Sequence, residues 1–348
     1  MARTKKGGSV AKSKAMLGWA LPVIIILLVL PWFVNSYLLN LLIMVAYGAY
    51  LSQCWNVMSG YAGQFSFGHA AFFGLGAYTS SLLFVDAGFS PWLGMIAGAL
   101  VAGLIGLIIG YLSFRYKLKG HYFALATLAF AEILRAIFTN TPFFKGAMGI
   151  LIPISSKSTM FQFSKKVYYF YVIFALLVLL TVLLRYISRT RLGLYFVAIR
   201  ENEDAAAALG VNVFRYKLAA LAISASLTAL AGTFYAQYFS YIDPNLVFGS
   251  EVSINAIIPA IIGGVGTVWG PILGSLVLTP ISELTGTLLA NYSGMNLMVY
   301  GFILIIVIIF LPEGVMGWIQ NRRTQYKVKQ DKSALARKEG KIHETPLS

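Results

Sequence analysis

The sequence predicts an all-α fold: a polytopic transmembrane helical bundle of about ten hydrophobic segments, some of them discontinuous helices, with both termini cytoplasmic. Three observations lead there. Hydrophobic residues make up 58% of the 348 and charged ones 11%, and the mean hydropathy is +0.76, far from the balance of a globular domain. Apolar runs long enough to cross hydrocarbon, about 20 residues each, recur along most of the chain. The alternation in short strands that a transmembrane β-barrel needs is absent. The formal charge of +15 is concentrated at the two ends. Arg3, Lys5, Lys6, Lys12 and Lys14 precede the first apolar run, and eight more Lys and Arg lie between Arg322 and Lys341. They read as positive-inside tails beside anionic lipid. No aromatic-interleaved basic module accompanies them, which argues against nucleic acid as a partner. Cys54 is the one cysteine and sits in an apolar run, so neither a disulfide framework nor a cysteine-built metal site is expected.

The tails set the boundaries: a basic cytoplasmic tail over 1–16, a single membrane domain over 17–318, and a second basic tail over 319–348. The first run, about 17–34, is too long for a signal-peptide core and lacks a small-residue cleavage site, so it is taken as a retained span. Further spans follow at about 37–58, 65–85, 91–114 and 121–138, with Arg115, Lys117 and Lys119 on the inner side. Residues 139–166 contain no apolar run of span length and fall outside by parity, against the pull of Lys145, Lys157, Lys165 and Lys166. A span at about 167–186 returns the chain inside, where Arg185, Arg189 and Arg191 lie, and residues 187–216 form a cytoplasmic loop. A span ending near Tyr241 comes next. The stretch 252–290 holds two crossings broken at Gly263-Gly-Val-Gly266, and a last run covers about 297–311.

Within the cytoplasmic loop, Arg200-Glu-Asn-Glu-Asp-Ala-Ala-Ala-Ala-Leu-Gly210 is polar yet punctuated like a helix. Asn202 suits an N-cap. Glu203 and Asp204 place negative charge at the positive end of the helix dipole. Alanines follow, and Gly210 can take the left-handed turn that stops the helix. About two turns of helix are unstable alone in water, so the segment needs a surface to lie on.

Small residues recur every four positions at Gly94, Gly98, Ala102, Gly106 and Gly110, and again at Gly266, Gly270 and Gly274, while Gly60, Gly68 and Gly76 lie eight apart. Such faces let helices approach closely in lipid. The glycine breaks near Gly60-Tyr-Ala-Gly63 and Gly263–Gly266 have a second reading, in which discontinuous helices line a substrate path. The candidates for that path are Gly60, Gly63, Gln64, Ser66, His69, Thr127, Glu132, Gly263, Gly264 and Gly266. Both readings stand at this level. Glu132 and Arg135 are three apart and can pair, while Glu283 stands alone among apolar neighbours. His69 fits either a packed neutral ring or a path-lining group. No Gly-rich Lys-Ser/Thr loop is present. The sequence offers no metal site and nothing that supports an enzyme.

Several blocks resemble one family. Asp204-Ala-Ala206 followed three residues later by Gly210 is similar to the EAA loop of ABC-importer permeases, with Asp204 in place of the motif's Glu. The flanks, Arg200-Glu-Asn-Glu-Asp-Ala and Gly210-Val-Asn-Val-Phe-Arg-Tyr-Lys217, resemble branched-chain amino-acid permeases of the LivM type. So do Gly63-Gln-Phe-Ser-Phe-Gly-His-Ala-Ala-Phe-Phe-Gly-Leu-Gly-Ala-Tyr78, Gly120-His-Tyr-Phe-Ala-Leu-Ala-Thr-Leu-Ala-Phe-Ala-Glu132, Gly263-Gly-Val-Gly-Thr-Val-Trp-Gly-Pro-Ile-Leu-Gly274 and Leu311-Pro-Glu-Gly-Val-Met-Gly317. The resemblance covers about residues 40–317.

The resemblance implies a transport subunit of the prokaryotic inner membrane. Arg200, Glu201, Asn202, Glu203, Asp204, Ala205, Ala206 and Gly210 would form the coupling helix on which an ATPase docks. The implied partners are a homologous permease subunit, two ATP-binding subunits and an extracytoplasmic amino-acid-binding protein. ATP and Mg would sit on the partners, with no cofactor bound by this chain. Leucine, isoleucine and valine are the implied cargo, and sister permeases carry urea or short amides. A stand-alone secondary transporter, with Glu283 as a working group, and a membrane scaffold are the competing classes.

Overall fold

The computed structural model describes residues 29–154 and 158–288 and, beyond them, residues 298, 301–302, 305 and 314–317. The expected first span, the last span and both tails lie largely or wholly outside the described residues. The regular structure among the described residues is helical, apart from two residues in each of two strands.

Helix α1 covers Ser36–Asn56, its start capped by Asn35, and runs on into a π-helical turn at Val57–Tyr61. Next come α2 (His69–Val85), α3 (Pro91–Arg115) and α4 (His121–Asn140). The described residues between 141 and 165 carry short 3₁₀ turns and strand β1 (Ile150–Leu151), with no span-length helix among them. Then follow α5 (Lys166–Ile187), α6 (Arg191–Glu201), α7 (Glu203–Ala208) and α8 (Val213–Phe239). Strand β2 (Tyr241–Ile242) pairs antiparallel with β1. The chain closes with α9 (Pro244–Phe248), α10 (Ser250–Gly263) and α11 (Gly270–Leu288). Among the described residues six helical stretches are long and apolar enough to cross a membrane, the pair α9–α10 counting as one.

One expected span is altered. The run at 65–85 becomes helical only at His69, leaving a 17-residue helix, shorter than a full crossing needs. Its lost turn belongs to a non-helical segment over 62–68, in which Gly63 is left-handed (φ +70°). The break expected at Gly263–Gly266 is present and separates α10 from α11.

Helices α2, α3 and α8 pack together most extensively, while α1 touches α5, α10 and α11. The small-residue stripe of α3 causes the first of these contacts. A methyl group at Gly94 would lie 2.7 Å from Ser80 Oγ, and one at Gly98 would lie 3.1 Å from the Gly76 α-carbon. At Gly106 it would meet Ala225 at 2.8 Å. On the opposite face of α3, Leu93, Ile96, Leu100, Leu104 and Ile108 are exposed, an apolar surface suited to lipid. Helix directions alternate, so the molecule has two ends. One carries α6 and α7; the other carries the β1–β2 pair.

Candidate functional site

Helix α7 forms where the sequence punctuates it. Asn202 Oδ1 accepts from the Ala205 amide at 2.9 Å. Gly210 adopts φ +85°. Its amide donates to Ala207 O at 2.9 Å and the Val211 amide to Ala206 O at 3.1 Å, the two bonds of a Schellman stop. A helix of six residues survives because one face is bonded to the bundle. Lys217 Nζ of α8, only 3% exposed, donates to Glu203 Oε2 at 2.6 Å. Removing one partner of such a pair costs about 3–5 kcal/mol, since it strands a charge. Lys119 lies 3.5 Å from Asp204 and 3.7 Å from Glu203. These half-exposed contacts are worth roughly 0–1 kcal/mol. Ala206 is buried, whereas Asp204, Ala205, Ala207, Ala208, Leu209 and Gly210 face outward. Beside Leu209 and Gly210 a cleft of about 430 Å³ opens between Leu192, Tyr195, Arg215 and Tyr216.

Arg200, three residues before the Glu203–Asp204 pair, turns the other way. Its Nη1 donates to the Gly60 carbonyl at 3.1 Å, and its Nη2 lies 2.6 Å from Glu201 Oε1. The arginine's own backbone and stem press on Gly63, where a methyl group would come within 2.9 Å of the Arg200 α-carbon. A methyl group at Gly266 would strike Arg200 Nη1 and sit 2.9 Å from Gly60 O. The end of α6, the π-turn of α1 and the α10–α11 loop therefore meet around one guanidinium.

That junction is reinforced from α1. Asn56 Oδ1 accepts from the Gly266 amide at 2.8 Å, and Asn56 Nδ2 donates to Thr267 O at 2.9 Å. Gly264, at φ +120°, is packed by Gly314, whose added methyl group would lie 2.8 Å from the Gly264 α-carbon. Gly263 packs against Gly270 and Gly274, where α10 and α11 cross.

The remaining expected path residues sit on or beside the non-helical segment. Gln64 and Ser66 are buried; the carbonyl of Gln64 accepts from Ser59 Oγ at 3.1 Å, and that of Ser66 from Trp55 Nε1 at 2.8 Å. Thr127 Oγ1 accepts from the Phe67 amide at 3.1 Å. His69 is fully buried, with Nε2 2.8 Å from Ser224 Oγ, which itself donates to the Cys54 carbonyl. Glu132 stands apart from this group. It pairs with Arg135 at 2.6 Å, and Arg135 reaches on to Asn245 near the opposite end.

Lys217, Lys119, Gln53 and Asn56 were not among the expected site residues. Gln53 and Asn56, polar and three apart inside an apolar run, were visible as an anomaly; Gln53 donates to Val268 O. Lys217 and Glu203 lie on different helices with the Gly210 stop between them, so only the fold brings them together.

The resembling blocks thus converge at the α7 end: Gly63 on Arg200, Gly266 on Gly60, Gly264 on Gly314, and Phe67 on Thr127. A family model described as the permease component of branched-chain amino acid transport systems matches residues 37–308. The chain belongs to this family. Among similar proteins, the high-affinity branched-chain amino acid transport system permease protein LivM of Salmonella typhimurium is 27% identical, over 92% of this chain and 78% of its own length. LivM of Escherichia coli K12 is 26% identical over the same shares. The permease protein LivH of Salmonella typhimurium is 29% identical over a shorter region, 42% of this chain and 45% of its own. No solved structure matches. Family membership and six apolar helices together make this a multi-pass membrane permease.

Proposed function

We propose that this chain is a permease subunit of an ATP-driven importer of the inner membrane, carrying leucine, isoleucine or valine handed over by an extracytoplasmic binding protein. It works beside a homologous permease subunit and two ATP-binding subunits, which hold the ATP and Mg. The membrane domain spans 17–318 in about ten segments, with the tails and the α7 end cytoplasmic and residues 139–166 outside.

The observation that carries this reading is the two-sidedness of α7. Its inner face is bonded to α8 through Glu203–Lys217, and its outer face offers small side chains with Leu209 and a neighbouring cleft. An ATPase can grip the outer face while the inner one conveys its movement. Swinging a path from 1:99 to 99:1 requires about 5.5 kcal/mol of differential interaction, so the grip must be firm.

Two measurements test it. Tagged chain should co-purify ATP-binding subunits, and the reconstituted complex should take up radiolabelled leucine in an ATP-dependent way. Uptake driven by an ion gradient from this chain alone would refute the importer, and uptake of urea in place of leucine would move the cargo to amides. The variant Gly210→Val forces a β-branched residue to φ +85°, which costs about 1–2 kcal/mol. It has open space around it, so the chain should still accumulate while ATP hydrolysis proceeds without leucine uptake. Normal uptake by that variant would remove the docking role from α7.

A further inference from the structure

Among the described residues three carboxylates, Asp243, Glu251 and Glu283, have no cation partner, and one of the three has no cap or helix dipole in its place. Asp86, Glu132, Glu201, Glu203 and Asp204 each have a cation partner. Asp243 caps α9, and Glu251 lies in the first turn of α10, where the helix dipole favours it. Among the described residues, Glu283 on α11 has neither an ion pair nor a side-chain hydrogen bond. The importer reading places α11 in the membrane, where an ionisable side chain is expensive and marks function by default.

Glu283 opens into a cleft of about 150 Å³ between α1, α10 and α11. Tyr47 of α1 and Asn255 of α10 share it, with Ser282 beside the carboxylate. Pro259 stands inside α10, and a proline has no amide hydrogen. The Asn255 carbonyl, four residues earlier, therefore lacks its helical donor. Among the described residues no lysine or arginine lines the cleft. It is rich in acceptors and carries uncompensated negative charge, while Met44 and Leu278 give it apolar walls. The Ser275 hydroxyl donates to the Val45 carbonyl at 2.8 Å and holds α11 on α1 next to it. Broken, proline-bearing helices of this kind are where transporters place their substrate sites.

We propose that this cleft receives the primary ammonium group of the transported amino acid, with Glu283 as its counter-ion. An ammonium brings three donors and no acceptor. The Glu283 carboxylate and the free Asn255 carbonyl take two of them, and the Tyr47 or Ser282 oxygen takes the third. The cavity is below the roughly 300 Å³ at which pockets for drug-sized ligands begin, so it fits the ammonium and α-carbon while the aliphatic part lies along Met44 and Leu278. This rests on the importer reading above and adds the group that selects an amino acid over a neutral amide.

The test uses the complete complex in proteoliposomes. Glu283→Gln should raise the KM for leucine at least tenfold while the complex still co-purifies, and Glu283→Asp should recover part of that loss. In the wild-type complex a lipid-soluble carbodiimide should label Glu283, and leucine should protect it. A wild-type KM in Glu283→Gln, labelling indifferent to leucine, or protection by sodium ions without leucine would each overturn the proposal. If the wild-type complex transports no leucine, the importer reading fails together with it; leucine uptake with an unchanged KM sinks this proposal alone.

Discussion

The glycines of this protein fall into two sets that look alike in sequence and behave differently in space. Gly94, Gly98, Gly106 and Gly110 of α3 lie in regular helix and exist to bring α3 against α2 and α8. Gly63, Gly264 and Gly266 lie where helices stop, hold positive φ, and crowd around Arg200 or Gly314. The first set joins by many weak, undirected contacts. The second joins by a few directed ones: Arg200 to Gly60, and Asn56 to Gly266 and Thr267. Dispersion spread over a long seam resists any displacement, whereas a handful of hydrogen bonds can exchange between two arrangements. Repeat spacing alone cannot tell the sets apart, because both show glycine every four residues in places.

Mutations should separate them. The largest effect belongs to the seam. Gly76→Leu would drive a side chain into the backbone at Ala229, and overpacking at a rigid backbone should cost at least about 3 kcal/mol. The chain should fail to accumulate in the membrane, read by immunoblot; normal accumulation would mean that the seam can yield. Next is the brace of α7. Glu203→Ala leaves the nearly buried Lys217 uncompensated, at a cost of about 3 kcal/mol concentrated at the α7 end. Limited proteolysis should then cut within 201–212 while the bundle stays intact, and Lys217→Met in the same chain should restore protection. The smallest effect belongs to the junction. Gly266→Ala must hold φ +75° and displace the Arg200 guanidinium, about 1–3 kcal/mol of local strain. Thermal stability should fall only modestly while ATP-dependent uptake drops several-fold. Equal losses of stability in Gly266→Ala and Gly76→Leu would erase the distinction.

Much of this was legible in the chain. Helix α7 could be read residue by residue, because an Asn cap, two acids, alanines and a glycine stop are local signals, and local hydrogen bonds realise them. The spans near 91–114, 121–138 and 167–186 match α3, α4 and α5 to within a couple of residues, since long apolar runs bounded by charge leave little choice. The late start of α2 was missed. Phe65-Ser-Phe-Gly68 is as apolar as a helix would be, but its backbone is tied up by Ser59, Trp55 and Thr127, which are contacts of the folded state only. Arg200 was grouped with the docking residues by its place in a motif, and which way its side chain turns is set by Gly60 and Gly63, some 140 residues away. The glycine breaks were located correctly, and their meeting point was not visible.

The two ties of the α6–α7 segment lead to unlike parts of the bundle. Glu203 is fastened to α8, which shares its long seam with α2 and α3, so a push on α7 carries those three helices as one block. The α10–α11 hairpin meets the same segment at the Arg200 guanidinium by its tip, and it is tied to α2 through Ser253 and to α1 along its length. A stroke delivered there would therefore reach the block and the hairpin by different routes, with α1 lying between them.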